Sequence, residues 1–169
     1  RHEIGADAIA MLMMTNALNE KEPCIVADYG TNAEMALLHD GKIITGSAAA
    51  GPAMEGQEID RGMLAAPGAI SDINITPDGW ICKVLDKTMT AREGDTINPI
   101  TGKVVKEGLM HGKAIGITGT GVVAAIYCGL KSGLVSPPNI NTDNGKLHLQ
   151  DGIDILSKDI EEAGKAIGA

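Results

Sequence analysis

The chain has 169 residues, 44% apolar and 21% charged, enough for one domain or two small lobes with a real core. With 22 acidic against 14 basic residues its net charge is −8 and no basic cluster appears, so it lacks the electrostatic footprint of a nucleic-acid or anionic-membrane binder. The three cysteines, Cys24, Cys82 and Cys128, are scattered with no C-x-x-C or Cys–His cluster, which excludes a zinc or iron–sulfur framework within these residues and suits reduced thiols in a cytoplasmic protein.

Ile9, Leu12, Met13 and Leu18 recur at helical spacing and predict a helix over Gly5–Asn19. The chain starts at Arg1 without an initiator methionine and reads as a piece of something longer. Three strands follow, Cys24–Tyr29, Glu34–His39 and Lys42–Thr45, with Asp40-Gly41 as a strong hairpin signal. Ser47–Gly51 is a small-residue loop, and Pro52 suits the start of a helix running to Ile59. Ile70–Ile75 and Trp80–Leu85 predict a second hairpin across Thr76-Pro77-Asp78-Gly79. Arg92–Gly108, with its Gly, Pro, Asn and Thr, reads as loop with at most one edge strand, and residues 63–112 together as an inserted β subdomain.

Ala114–Thr118 reads as a short strand entering Gly119-Thr120-Gly121, and Val122–Leu130 as a helix. A polar loop, Ser136–Gly145, precedes candidate strands Leu147–Gln150 and Ile153–Leu156. Ser157 caps a last helix, with Asp159, Glu161 and Glu162 favourable near its amide end. The order predicts an α/β fold with a mixed sheet and flanking helices. There is no Phe, so the core is aliphatic; Met11, Met13 and Met14 belong to packing rather than to a cofactor.

Three constellations carry chemistry. In the first, the apolar run Cys24–Ala27 delivers Asp28 beside the turn Gly30-Thr31-Asn32, followed by Glu34. Gly30 allows a tight turn, Thr31 and Asn32 offer donors to phosphate oxygens, and Asp28 suits Mg2+ held through water. The plain alternative is a hairpin with a polar turn. In the second, Gly116-Ile117-Thr118-Gly119-Thr120-Gly121 feeds a helix start, where bare amides attract anions. Gly119-x-Gly121-x-x-Ala124 also fits a dinucleotide fingerprint, and close helix–strand packing explains the same glycines. In the third, Gly46–Gly56 is a stretch of small residues in which Ser47, Gly51 and Glu55 stand out. It reads as a close-approach loop or a tight loop-to-helix junction. His2, His39, His111 and His148 are dispersed and read as surface residues, and no Ser–His–Asp, H-E-x-x-H or Walker motif is present.

Together these segments resemble the ATPase domain of corrinoid-protein reductive activases. Asp28–Glu34 looks like that family's D-x-G-T-N-x-E motif, and Ala49–Gly56 like its A-A-G-P-A-x-E-G loop. Gly62–Ile70 looks like its G-M-x-A-A-P-G-A-I segment. Gly116–Gly121 looks like its G-I-C-G-S-G turn, and Asp159-Ile160 like the start of its D-I…A-K-A-I stretch. The wording is most similar to archaeal methylamine methyltransferase activases. Thr118 stands where the family usually has Cys, and Ala124 where it often has Asp.

The resemblance implies a ribonuclease-H-like lobe, the second of two in an actin-like ATPase, spanning 1–169, with its sheet continuing beyond these residues. It implies ATP and Mg2+ as cofactors, with Asp28, Gly30, Thr31, Asn32 and Glu34 at the phosphates. Gly116, Gly119, Thr120 and Gly121 would lie on the adenosine side. The family drives Co(II) corrinoid proteins to Co(I) with ATP, taking electrons through an iron–sulfur cluster elsewhere in the parent protein. Expected partners are therefore the corrinoid protein of a methyltransferase system and the missing first lobe; a homodimer stays open. Ser47, Gly51 and Glu55 are expected to signal to the corrinoid protein. Alone, the chain is expected to have little activity, since catalysis needs both walls of the clamp. Two competing readings are a nicotinamide-dependent oxidoreductase using Gly119, Gly121 and Ala124, and a non-catalytic module that kept the lobe but lost ATP use.

Overall fold

A computed structural model describes residues 5–30 and 32–168 and divides the chain into two compact units. The first comprises the residues up to Pro52 with those from Ala166 on; the second is Ala53–Lys165.

In the first unit, helix α1 covers Ala6–Met14, shorter than the periodicity predicts. Thr15 turns its hydroxyl back to the Met11 carbonyl at 2.8 Å, and Asn16 adopts a left-handed φ of 57°. Asn tolerates that conformation, so the run breaks there and resumes as a single 3-10 turn, Ala17–Asn19. Strands β1 (Cys24–Tyr29), β2 (Ala33–His39) and β3 (Lys42–Ala48) form an antiparallel sheet in chain order. Asp40 and Gly41 both have positive φ, 50° and 69°, as a two-residue type I′ turn requires. Alternation puts Cys24, Val26, Ala36 and Leu38 on one face, where Met11, Leu12 and Ala17 pack against them. A single helical turn, α2, follows at Ala50–Pro52.

The second unit opens with a correction. The helix expected from Pro52 to Ile59 does not form; Ala53–Gln57 is a wide irregular turn in which Glu55 (φ −107°, ψ 47°) and Gly56 (φ 106°) leave helical geometry. The segment folds back on itself: a Cβ on Gly62 would stand 2.7 Å from the Met54 carbonyl oxygen and 2.9 Å from the Gly56 nitrogen. Close return of the backbone, not helix propensity, therefore sets this stretch.

A five-stranded sheet forms the body of the unit. Its strands are β4 (Ala69–Thr76), β5 (Gly79–Leu85), β6 (Ala91–Ile97), β7 (Val104–Lys106) and β8 (Gly116–Ile117), in the order β7-β6-β5-β4-β8. Only β4 and β8 run parallel. The β4–β5 turn falls at Pro77-Asp78 as expected, with the Thr76 hydroxyl donating to the Gly79 carbonyl at 2.8 Å. The loop expected over Arg92–Gly108 is instead largely strand, and β6 is an interior one. Its sequence, Ala-Arg-Glu-Gly-Asp-Thr-Ile, lacks the apolar alternation of a buried strand because Asp95 and Thr96 are buried as polar residues. Trp80, Ile97, Ile70, Val84 and Ile117 are fully buried around them.

Helix α3 (Gly119–Lys131) packs on β4, and the Cys128 thiol reaches the Ile73 carbonyl. It starts three residues before the predicted Val122 because Thr118 caps it, its hydroxyl accepting the Gly121 N–H at 3.1 Å. The expected loop at Ser136–Gly145 contains a small hairpin, β9 (Val135–Ser136) with β10 (Asn139–Ile140). Strands β11 (Lys146–His148) and β12 (Asp154–Leu156) pair antiparallel before the last helix, α4 (Ser157–Gly168). A dinucleotide fold needs a strand after α3 lying parallel to β8, and among the described residues the parallel partners of β8 are β4 and a bridge to Gly62, both of which precede it. That overturns the nicotinamide reading of Gly119, Gly121 and Ala124.

Candidate functional site

The hairpin of the first unit assembles its polar residues by register. Asp28 lies directly opposite Glu34, and Glu34 directly opposite Ser47, so the three form one row across β1, β2 and β3. The Ser47 hydroxyl donates to Glu34 Oε1 at 3.4 Å. Ser47, expected to signal to a partner, thus stands in one row with Asp28 and Glu34. Two carboxylates directly opposite each other repel, which a cation would relieve. The row therefore offers two carboxylates to a cation such as Mg2+.

The loop beside it is Gly30-Thr31-Asn32, of which Thr31 lies outside the described residues. The amides of this loop are not all free, since the Gly30 N–H donates to the Asn32 carbonyl at 2.9 Å. Gly30 does not use the left-handed region that would demand glycine. A Cβ there would meet only the Asn32 carbonyl, at an ordinary 3.6 Å. The fold itself thus has no need of glycine at 30.

The second constellation divides into packing and exposed residues. A Cβ on Gly116 would press on Met63 Sδ at 2.5 Å and the Arg61 carbonyl at 2.7 Å; one on Gly121 would collide with the Ile70 carbonyl. These two glycines serve close approach of backbone to backbone. Gly119 is looser: its Cβ would meet Met54 Cβ at 3.4 Å and Glu55 Cγ at 3.7 Å. Glu55 therefore lies against the first residue of α3. The Thr120 hydroxyl donates to the Ser71 carbonyl at 3.0 Å, and Thr118, besides capping, donates to the Ile70 carbonyl at 3.2 Å. Thr118 thus has a structural use of its own. Gly51, the remaining loop residue singled out, is buried in α2.

A polar cluster that sequence reasoning missed lies in the second unit. Cys82 of β5 faces two residues of β6, Gly94 and Asp95, so the strand bulges there. The bulge buries the Asp95 carboxylate, which accepts from the Gly108 N–H at 2.9 Å and from His111 Nδ1 at 2.8 Å. The Asp95 N–H donates to Gln150 Oε1 at 2.6 Å, and Gln150 Nε2 donates to the Met110 carbonyl at 2.5 Å and to Asp151 at 3.1 Å. The only local signal was an acid beside a glycine in a weak strand.

The hydrogen bond to Asp95 holds His111 above its ordinary pKa, with further help from the charges of Asp95, Glu107 and Asp151 against a lowering by desolvation. The folded state therefore binds the proton more tightly than the unfolded chain. The stabilisation is complete below the unfolded value of about 6.5 and is lost as pH rises through the raised value. Urea midpoints of the parent and His111→Gln, taken from about pH 5 to about pH 9, should show a gap that narrows as pH rises. A gap that widens with pH would contradict this.

Comparison with known proteins places this geometry. A solved structure of a reductive activator for corrinoid,iron-sulfur protein matches over 96% of this chain and 26% of its own, with a TM-score of 0.52 at 23% identity. The fold is that of the actin-like, or ASKHA, class. The chain belongs to the family described as the C-terminal domain of RACo, the ASKHA domain, which matches residues 22–169. A relative in Methanosarcina barkeri, named [Co(II) methylated amine-specific corrinoid protein] reductase, is 52% identical over 171 residues, covering 100% of this chain and 31% of the relative. The corrinoid activation enzyme RamQ of Eubacterium limosum is 27% identical over 133 residues, 79% of this chain and 18% of that protein. The chain thus spans less than a third of the length of these curated relatives. Among the described residues, no helix is long and apolar enough to cross a membrane.

Proposed function

We propose that this chain is the ATP-binding second lobe of an activase that couples ATP hydrolysis to reduction of a corrinoid protein from Co(II) to Co(I). The observation that carries the proposal is the 52% identity, spanning the whole chain, to a protein named for reducing a corrinoid protein. Electrons arrive through an iron–sulfur cluster carried elsewhere in the parent protein, in the cytoplasm, and the first lobe supplies the facing wall of the clamp. Bound ATP supplies a transferable phosphoryl group, for which catalysis is mostly positioning and charge stabilisation.

The residues of this chain divide that work. Asp28 holds Mg2+ through water, and Ser47 steadies the Glu34 carboxylate beside it. Gly30, Thr31 and Asn32 receive phosphate oxygens. Thr120, exposed at the amide end of α3, meets the adenosine, and Glu55, packed against buried Gly119, is placed to accept from a ribose hydroxyl. Glu55 is thereby moved from partner signalling to nucleotide contact, while Gly116 and Gly121 shape the wall behind it.

The test is calorimetry with ATP–Mg2+ on the full-length parent, alongside the cobalt absorbance change in its corrinoid partner. Asp28→Ala should weaken ATP–Mg2+ between about 10- and about 100-fold, as loss of a group holding a metal through water does. Corrinoid reduction should fall with it. ATP affinity unchanged by Asp28→Ala, or reduction that proceeds equally without ATP, would refute the reading.

A further inference from the structure

One cavity in the second unit lies among residues to which the proposed ATP site gives no role. It is an open cleft of about 590 Å3, within the range of small-molecule sites. Exposed Pro67 and buried Gly68 form one side, Leu85 and Met110 add only the 8% of each that is exposed, and Lys87 and Lys113 also line it. Pro67 and Gly68 belong to the Gly62–Ile70 segment that leads into β4. Glycine is required in that wall, because Gly68 has φ +90° and its Cβ would stand 2.9 Å from Ile115 Cγ1 and 3.0 Å from the Lys113 carbonyl.

Charge gives the cavity its chemistry. Asp86 is the one carboxylate among its lining residues. Its oxygens are already occupied by the Thr88 N–H and hydroxyl, the Thr90 N–H and Arg92 Nε, at 2.6 to 3.0 Å. Among the described residues neither Lys87 nor Lys113 forms an ion pair. A chain of net charge −8 thus presents two uncompensated ammonium groups beside an apolar surface. An anion alone would leave the exposed Pro67 ring and the methylene stems of the two lysines wet, and an apolar molecule alone would leave the ammonium groups unmatched. We propose that this cleft binds a small organic anion with an apolar body, its phosphate or carboxylate between Lys87 and Lys113 and its body against Pro67.

Titration of the chain with phenyl phosphate and with benzoate tests this, with inorganic phosphate and phenol as the separate halves. At least one of the two organic anions should saturate, and whichever does identifies the acid group. Each half should bind at least about tenfold more weakly. The double variant Lys87→Met, Lys113→Met keeps the aliphatic stems and should abolish binding, while Lys87→Arg, Lys113→Arg should retain it. Asp28→Ala should leave it unchanged, so that failure here and failure of the ATP reading are distinguishable. No saturable binding, inorganic phosphate binding as well as phenyl phosphate, indifference to the methionine variant, or loss in Asp28→Ala would each overturn the proposal.

Discussion

Alanine at Gly121 should cost about 2 kcal/mol of stability, whereas alanine at Gly30 should leave folding intact and weaken nucleotide binding. At 121 the added methyl meets the Ile70 carbonyl and Ile117 Cγ1, the latter at 2.7 Å, so α3 has to move off β4. Overpacking of this kind costs roughly 1–3 kcal/mol, more where the obstacle is backbone. The better helix propensity of alanine returns at most about 1 kcal/mol. At 30 the nearest atom is at van der Waals distance and the backbone is not left-handed, so no strain arises. Any effect at 30 is then an effect on a ligand approaching the loop. Thermal unfolding and ATP–Mg2+ titration of both variants separate the two. A Gly30→Ala chain that binds ATP–Mg2+ like the parent would remove the phosphate role from this loop.

The second large effect is expected from Asp95. Removing its side chain leaves the Gly108 N–H and His111 Nδ1 without their partner inside the bulge. Hydrogen bonds to a charged group contribute about 1.5–3 kcal/mol each, less for the half-exposed His111, so Asp95→Ala should destabilise by about 3 kcal/mol. Asp95→Asn should fall between, since its carbonyl oxygen can still accept from Gly108. Urea unfolding should show the midpoint drop at unchanged slope. A midpoint within error of the parent would mean that this network holds nothing together.

The contrast between these residues explains what the sequence made legible. Asp28, Gly30 and Glu34 could be picked out because an acid, a turn and a second strand are neighbours in the chain. The Asp40-Gly41 hairpin was equally legible, since a type I′ turn is specified by its own two residues. Strand β6 was not. Its partners are remote: Gln150 reaches Asp95 from 55 positions away and His111 from 16. A polar strand looks like loop until those partners are known. Likewise Ala53–Gln57 passed for helix because its constraint is Gly62, which lets the chain return onto Met54. Ser47 was noticed for its loop, but its place opposite Glu34 depends on pairing that composition does not contain. Gly119 and Glu55 were singled out separately and assigned different tasks, and their contact needs the irregular turn to be seen.

The Asp40-Gly41 turn sets more than a bend. Every pair from His39–Lys42 down to Ala33–Ala48 is counted from it, Glu34–Ser47 included. Side chains alternate between faces, so a one-residue slip would set Gly46 or Ala48 opposite Glu34 and leave its carboxylate unsupported. Two exposed residues at the far end of the hairpin, with no atom near a ligand, therefore act as the ruler that aligns the row at the other.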